Sequence, residues 1–264
     1  MSFLNQVIDT SLKVPGIKVD RRQFLSEQLS PFYSQEVVKL ALDTNPTFAK
    51  VPDNAIDTIA KSVIKNHTRL GTTISFAAGL PGGLAMLGTV PLDLAQFFSN
   101  VLILAQKLAY LYGWPDISDE ESPEVFKDML ALFLGVMMGV SQANKALGEI
   151  SRRLAVEVLR RVPRIALTKY AWFNSLKIAL KWVGVKLTKD SFARVLSKGV
   201  PIVGGFVSGG ITYVSMSRMS GNLVTQLKSS SLFTLSEINT EMDANENFEI
   251  EDLDIELTVA NDLN

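Results

Sequence analysis

The sequence predicts an all-α protein: a single compact multi-helix domain with apolar hairpins broken by glycine and proline, followed by an acidic C-terminal tail. Three observations support this fold class. Helix-capping residues recur at helix-length intervals, apolar residues repeat at three- and four-residue steps, and the alternation typical of β-strands is almost absent before residue 248. The 264 residues are enough to bury one sizeable core.

Capping signals place the helices in order along the chain. Asp20 is a good N-cap, Pro52 and Pro91 suit a helix start, and Gly113 suits a helix end. Farther along, Ser122-Pro123 supplies the next start, and Pro163 interrupts an apolar repeat. The predicted helices span residues 21–29, 52–66, 90–113, 122–140, 141–162, 165–183, 188–197 and 201–227.

Charge divides the chain into a helical domain, residues 1–228, and a tail, residues 229–264. All 26 basic residues lie in the first part with 17 of the 27 acidic ones, which gives it a net charge of +9. The tail begins with a linker-like stretch and then alternates apolar and polar residues over 253–259. This end is either disordered or a short strand that docks on a protein partner or on the basic face of the protein itself.

Composition excludes several function classes. The chain has no cysteine and a single histidine, so disulfides, thiol chemistry and most zinc sites are excluded. Its N-terminus lacks the pattern of a secretory signal, which predicts a protein of the cytoplasm, or one attached to or partly inserted in the cytoplasmic membrane. No cofactor is expected.

Three stretches carry no charged side chain: Gly71–Leu92 with 22 residues, Met129–Asn144 with 16, and Gly199–Ser217 with 19. A spanning helix needs about 20 apolar residues. However, Pro81, Pro201 and several glycines predict broken helices or tight hairpins instead of single rods. Two interpretations stay open. These stretches form either a buried core, or helices that are re-entrant, interfacial or inserted in a membrane.

A basic, tryptophan-bearing region lies between Lys145 and Lys198, where 13 basic residues face three acidic ones. Helical spacing places Trp172 on an apolar side and Lys177 with Lys181 on another. Such helices suit a membrane interface, where indole rings lie at headgroup depth and lysines meet anionic lipid. The alternative is a solvated basic face over a core. The candidate membrane- or anion-binding residues are Arg152, Arg153, Arg160, Arg161, Arg164, Lys169, Trp172, Lys177, Lys181 and Trp182.

No recognised catalytic motif occurs. The glycines at 79–83 are not followed by the lysine and hydroxyl residue of a phosphate loop. His67 is expected to be a structural hydrogen-bonding residue at a helix turn, and Asp93 a first-turn acid favoured by the helix dipole. A catalytic base at His67 and a functionally poised acid at Asp93 are the alternatives.

An ordered set of short motifs resembles the EcsC protein family from about Ile56 to Leu227. The set comprises Asn66-His67-Thr68, a glycine-rich hairpin at 79–83, Val-Pro-Leu-Asp at 90–93, a helix end at 108–113 and Val-Pro-Ile-Val-Gly-Gly at 200–205. This chain departs from the family in having Pro81 inside the hairpin, and in its acidic tail. The motif residues are His67, Gly79, Gly82, Gly83, Pro91, Asp93, Tyr112, Gly113, Pro201, Gly204 and Gly205.

The resemblance implies a bacterial, membrane-linked helical protein, because the family is named for a protein encoded beside the subunits of an ABC transporter. It brings no catalytic residues. We therefore expect a non-enzymatic protein that binds an anionic membrane or a membrane-protein complex. The alternative is a soluble helical interaction module that binds a protein or an apolar ligand. The absence of a recognised motif argues against nucleic acid as the partner.

Overall fold

A computed structural model describes residues 3–78, 92–117, 123–161 and 209–229, and the side chains within 7–70, 95–117, 123–151 and 213–229. These residues form eight helices and no strand, which confirms the predicted all-α class. All of them belong to the first of two compact units, Met1–Leu232 and Phe233–Asn264. The helices are Phe3–Ser11 (α1), Arg21–Leu29 (α2), Gln35–Asp43 (α3), Asp53–Ala78 (α4), Leu92–Leu111 (α5), Pro123–Met137 (α6), Ser141–Arg161 (α7) and Gly209–Ser229 (α8).

Several helix boundaries lie where the capping residues predict them. Asp20 caps α2 by accepting a 2.8 Å hydrogen bond from the backbone N–H of Gln23. The C-terminus of α5 is closed by Gly113, whose φ of 91° is left-handed, and by a 3.0 Å bond from the Trp114 N–H to the carbonyl of Ala109. The predicted Tyr112-Gly113 helix end is therefore confirmed.

Other boundaries differ from the prediction. Helix α4 does not end at Asn66 but continues to Ala78, because residues 67–78 contain no proline and Gly71 alone costs a helix only about 1 kcal/mol. The nine-residue helices α1 and α3 have no counterpart among the predicted helices. The predicted helices at 165–183 and 188–197, the start of the one at 201–227 and the strand at 253–259 lie outside the described residues.

Helix α5 forms the centre of the body, with α1, α2, α4, α6 and α8 packed around it. Helix α6 supplies much of the remaining core, because Met129, Leu130 and every residue from Leu132 to Met137 are buried. Trp114 and Phe133 pack edge to face with their ring centres 5.3 Å apart. The charge-free stretch that begins at Met129 is therefore core up to Met137.

Two buried polar side chains attach the N-terminal segments to this core. Gln106 accepts a 3.1 Å bond from the N–H of Val19 and donates a 2.8 Å bond to the carbonyl of Ile17. Arg21 donates to the carbonyl of Leu42 in the last turn of α3, to that of Thr44 just after α3, and to that of Trp114 beyond α5. Cations suit such sites because the carbonyls at a helix C-terminus carry partial negative charge.

Candidate functional site

Much of the predicted membrane-binding region falls outside what the structure describes. Four of its arginines belong to α7, although their side chains are not described: Arg152, Arg153, Arg160 and Arg161. The remaining residues lie outside the described ranges: Arg164, Lys169, Trp172, Lys177, Lys181 and Trp182. Their role stays a prediction.

Some residues of the EcsC-like motifs also lie outside the described ranges, and others lie within them. Seven lie outside the described ranges: Gly79, Gly82, Gly83, Pro91, Pro201, Gly204 and Gly205. Asp93 occupies the first turn of α5, where the sequence predicted it. His67, Tyr112 and Gly113 are described, and both His67 and Tyr112 join α4 to α5 through side-chain hydrogen bonds.

His67 is held by Asn100 through two hydrogen bonds. The Asn100 Nδ2 donates to the backbone carbonyl of His67 over 3.0 Å, and the Asn100 Oδ1 lies 2.7 Å from the His67 Nδ1. Because an amide oxygen only accepts, the Nδ1 of His67 carries the proton and its Nε2 is left with a lone pair. His67 lies within α4 and makes side-chain and backbone hydrogen bonds to Asn100 there.

The lone pair of His67 faces a lysine. The Nζ of Lys107 is 3.1 Å from the His67 Nε2, and it also lies 5.6 Å from the centre of the Phe24 ring. We call Lys107, His67 and Asn100 the Lys107 cluster. Asn100 and Lys107 are seven residues apart, and this separation places them on one face of α5.

Burial shifts both ionisable groups of the Lys107 cluster toward their neutral forms. Burial lowers the pKa of His67, the hydrogen bond with Asn100 opposes this, and the charge of Lys107 lowers the pKa further. Burial also lowers the pKa of Lys107, against the weaker opposing effect of Glu27. His67 is accordingly neutral at pH 7, and Lys107 loses its proton more readily than a solvated lysine does.

Sequence reasoning identified His67 but missed both of its partners. A signal was present, because Lys107 is the single charged residue of α5 after Asp93. A lysine in a helix that is otherwise apolar or neutral polar has to be paired, or to reach solvent, or to shift its pKa.

A second polar cluster joins one end of three helices. The Tyr112 hydroxyl donates to the Asp57 Oδ1 over 2.9 Å, and the Lys228 Nζ is 2.5 Å from the Asp57 Oδ2. Burial acts to raise the pKa of Asp57, but the hydrogen bonds from Lys228 and Tyr112 and the charges of Lys228 and Lys61 outweigh it and lower the pKa. The cluster therefore connects the start of α4 to the ends of α5 and α8.

The contacts of Asp57 and His67 also establish the directions of α4, α5 and α8, and hence the position of their far ends. Asp57 is near Tyr112 and His67 is near Asn100, so α4 and α5 run antiparallel. Helix α8 makes its most extensive contact with α4 and places its last turn beside the first turn of α4, so it too is antiparallel to α4. From this cluster, each helix extends about 30 Å to its far end at 1.5 Å per residue. Ala78, Leu92 and Gly209 consequently lie at one end of the body.

We call this the charge-free end, because the uncharged stretches Gly71–Leu92 and Gly199–Ser217 both adjoin it. Its described side chains include unusually exposed apolar ones: Leu70 is 53% exposed, Tyr213 56% and Val214 63%. The exposed cations Lys65, Arg69 and Arg218 follow on the same two helices, farther from the end. On α4 and α8, the exposed apolar side chains Leu70, Tyr213 and Val214 thus lie nearer the charge-free end than the exposed cations.

Among the described residues, no three His, Cys, Asp or Glu side chains group closely enough to hold a metal ion. Within the same ranges, no helix combines the length and the apolar character that crossing a bilayer would require.

Comparison with protein-family models, curated proteins and solved structures finds no match. The resemblance to the EcsC family therefore stays a prediction that depends on the motifs themselves.

Proposed function

We propose that this protein binds the surface of an anionic membrane, with the charge-free end and the basic region between Lys145 and Lys198 as its contacts. The observation that carries the proposal is the convergence of Ala78, Leu92 and Gly209 at one end of the body, where Leu70, Tyr213 and Val214 are exposed. Exposed apolar side chains grouped on one surface mark interaction sites.

The charges around the charge-free end favour lipid as the partner. Tyrosine is enriched at membrane interfaces, and lysine and arginine extend their charged groups toward the headgroups. Along the helices, Tyr213 lies nearest the charge-free end, Arg69 and Arg218 follow at about equal distance from it, and Lys65 lies farther back. Each cation near an anionic surface contributes about 1 kcal/mol. An anionic membrane as the partner agrees with the predicted likeness to a family linked to membrane transport. It also agrees with the predicted localisation of the protein at the cytoplasmic membrane.

Flotation with vesicles tests the proposal. The full chain should float with vesicles rich in phosphatidylglycerol, float less with pure phosphatidylcholine, and lose binding as salt rises. Failure with both lipids at low salt would contradict the proposal.

Acidic substitutions test whether the charge-free end makes the contact. Full burial of a leucine or valine contributes about 1.5–3 kcal/mol, so lipid contact of the exposed halves of Leu70 and Val214 is worth roughly 2 kcal/mol together. The double variant Leu70→Glu, Val214→Glu should therefore partition roughly 30-fold less into vesicles. Phe32→Glu is the matched control, because Phe32 is 72% exposed in the turn between α2 and α3. Equal loss in the control would remove the charge-free end from the proposal.

A further inference from the structure

The Lys107 cluster has the geometry of a nucleophile, a base and a residue that orients the base. The amine of Lys107 is 3.1 Å from the lone pair of His67, and Asn100 holds the opposite nitrogen of the imidazole at 2.7 Å. Activated nucleophiles in enzymes share this arrangement. We propose that Lys107 forms an imine with small aldehydes or ketones, with His67 as its proton acceptor and Asn100 as the residue that positions His67. This activity is independent of membrane binding.

Lys107 differs from the ion-paired lysines of the described body. Lys127 lies 2.6 Å from Asp9, and Lys228 contacts Asp57. Within the described ranges, no carboxylate lies within 4 Å of the Lys107 amine, and its nearest polar partner is the neutral imidazole of His67. A carboxylate would hold the proton on the amine, whereas an imidazole can accept it.

The partial burial of Lys107 affects both the protonation of its amine and the access of a substrate to it. Lys107 is neither fully buried nor fully exposed, and the proposal requires a small molecule to reach its amine from the exposed side. An amine attacks carbonyl carbon only after losing its proton, and burial makes that loss easier by lowering the pKa of Lys107. Each tenfold increase in the unprotonated fraction gives about tenfold more reactive amine at a fixed pH.

The reaction balances without an oxidant or a reductant. The Lys107 ammonium first transfers a proton to the Nε2 of His67, which leaves a neutral amine beside an imidazolium. The amine nitrogen forms a C–N bond with the carbonyl carbon, and the carbonyl oxygen takes the proton of the His67 imidazolium. The nitrogen then gives one of its own protons to the His67 Nε2, which leaves a neutral carbinolamine. The imidazolium protonates the hydroxyl, which leaves as water, and the nitrogen gives its remaining proton to His67, so that the imine forms. Overall, one lysine ammonium and one carbonyl compound yield one imine, one water and one proton, which His67 releases to solvent.

The surroundings select a neutral, apolar carbonyl compound. The Phe24 ring lies 5.6 Å from the Lys107 amine, and the charge of Glu27 in α2 also acts on this amine. The charge of Glu27 disfavours anionic substrates, and the aromatic ring favours a short hydrocarbon chain. Aliphatic aldehydes and ketones of a few carbons fit these properties.

Reductive trapping tests the proposal in the full chain without lipid. We would treat the protein with butanal and sodium cyanoborohydride at pH 7 and follow the adduct at each lysine by peptide mass spectrometry. Lys107 should react roughly tenfold faster than Lys65, an exposed lysine of α4, although Lys107 is less accessible. A rate at Lys107 equal to or below that at Lys65 would overturn the proposal.

Two further measurements separate activation by His67 from burial alone. In His67→Gln, the rate at Lys107 should fall roughly tenfold while the rate at Lys65 is unchanged, because an amide cannot accept the proton. An unchanged rate at Lys107 in a folded variant would refute the role of His67. If that variant does not fold, the wild-type pH–rate profiles decide: the rate at Lys107 must reach its plateau at lower pH than the rate at Lys65, and coincident profiles would refute the proposal.

Discussion

Replacing Lys107 with methionine should raise the pKa of His67. In the wild type that pKa lies below 6.5, first because of burial and then because of the Lys107 charge. Two unit charges 3.1 Å apart repel by about 1.3 kcal/mol even at the dielectric constant of water, so removing one shifts the protonation equilibrium of His67 by roughly tenfold. The substitution also removes the hydrogen bond that the neutral Nε2 accepts from Lys107. This bond stabilises the neutral imidazole, so its loss raises the pKa of His67 as well.

The chain has one histidine, so NMR titration of its imidazole signals reports on His67 alone. The same pKa governs stability. Since the folded pKa is below 6.5, the unfolded state binds more protons as pH falls from about 6.5, and the free energy of unfolding falls with it. Urea denaturation at pH 7.5 and 5 should show a smaller fall in Lys107→Met than in the wild type.

Lys65→Met is the matched control, because Lys65 lies exposed on α4 two residues before His67. Its effect on the titration should be small, since solvent screens an exposed charge. A pKa of His67 that is unchanged or lowered in Lys107→Met would refute the assigned contact between the two side chains. An equal rise of the His67 pKa in Lys65→Met would show that the pKa responds to the net charge of the protein and not to the contact with Lys107.

Two further predictions concern stability. Tyr112→Phe should lower the free energy of unfolding by about 1–2 kcal/mol at pH 7, because it removes a hydrogen bond to the Asp57 carboxylate. The folded pKa of Asp57 is below 3.8, so this difference should shrink as acid protonates Asp57, and a pH-independent difference in urea denaturation would contradict the assignment. Arg21→Met leaves carbonyls at the end of α3 and after α5 without their donor. We expect the free energy of unfolding to fall by about 3 kcal/mol and the Tm to be roughly 10 °C lower by circular dichroism. An unchanged Tm would show that water satisfies those carbonyls.

Helix boundaries that depend on local chemistry were predictable. Asp20 caps α2 with its own side chain, and Gly113 ends α5 through its left-handed backbone. Both interactions involve residues within five positions of each other, so the sequence contains all the information they need. The end of α4 was predicted too early. The local sequence permits the helix to continue past Asn66, because residues 67–78 contain no proline, but it contains no capping signal that fixes the end, and the longer helix packs against α5 and α8.

The candidate site shows the same division. His67 could be singled out from the sequence as the one histidine, within a short motif, but Asn100 and Lys107 are 33 and 40 residues away along the chain. Their contact with His67 requires α4 and α5 to pack antiparallel in one register. The exposure of Leu70 and Val214 likewise depends on which faces of α4 and α8 their neighbours cover.

Helical class, cap positions, the acidic tail and the charge-free stretches follow from residue types and short-range spacing alone, because propensity, capping and charge act over a few residues. Helix packing decides the rest. It brings Ala78, Leu92 and Gly209 to one end of the body, and it places the amine of Lys107 against the imidazole of His67. Packing brings together residues far apart in the chain, and burial there changes their pKa values and hence their chemistry.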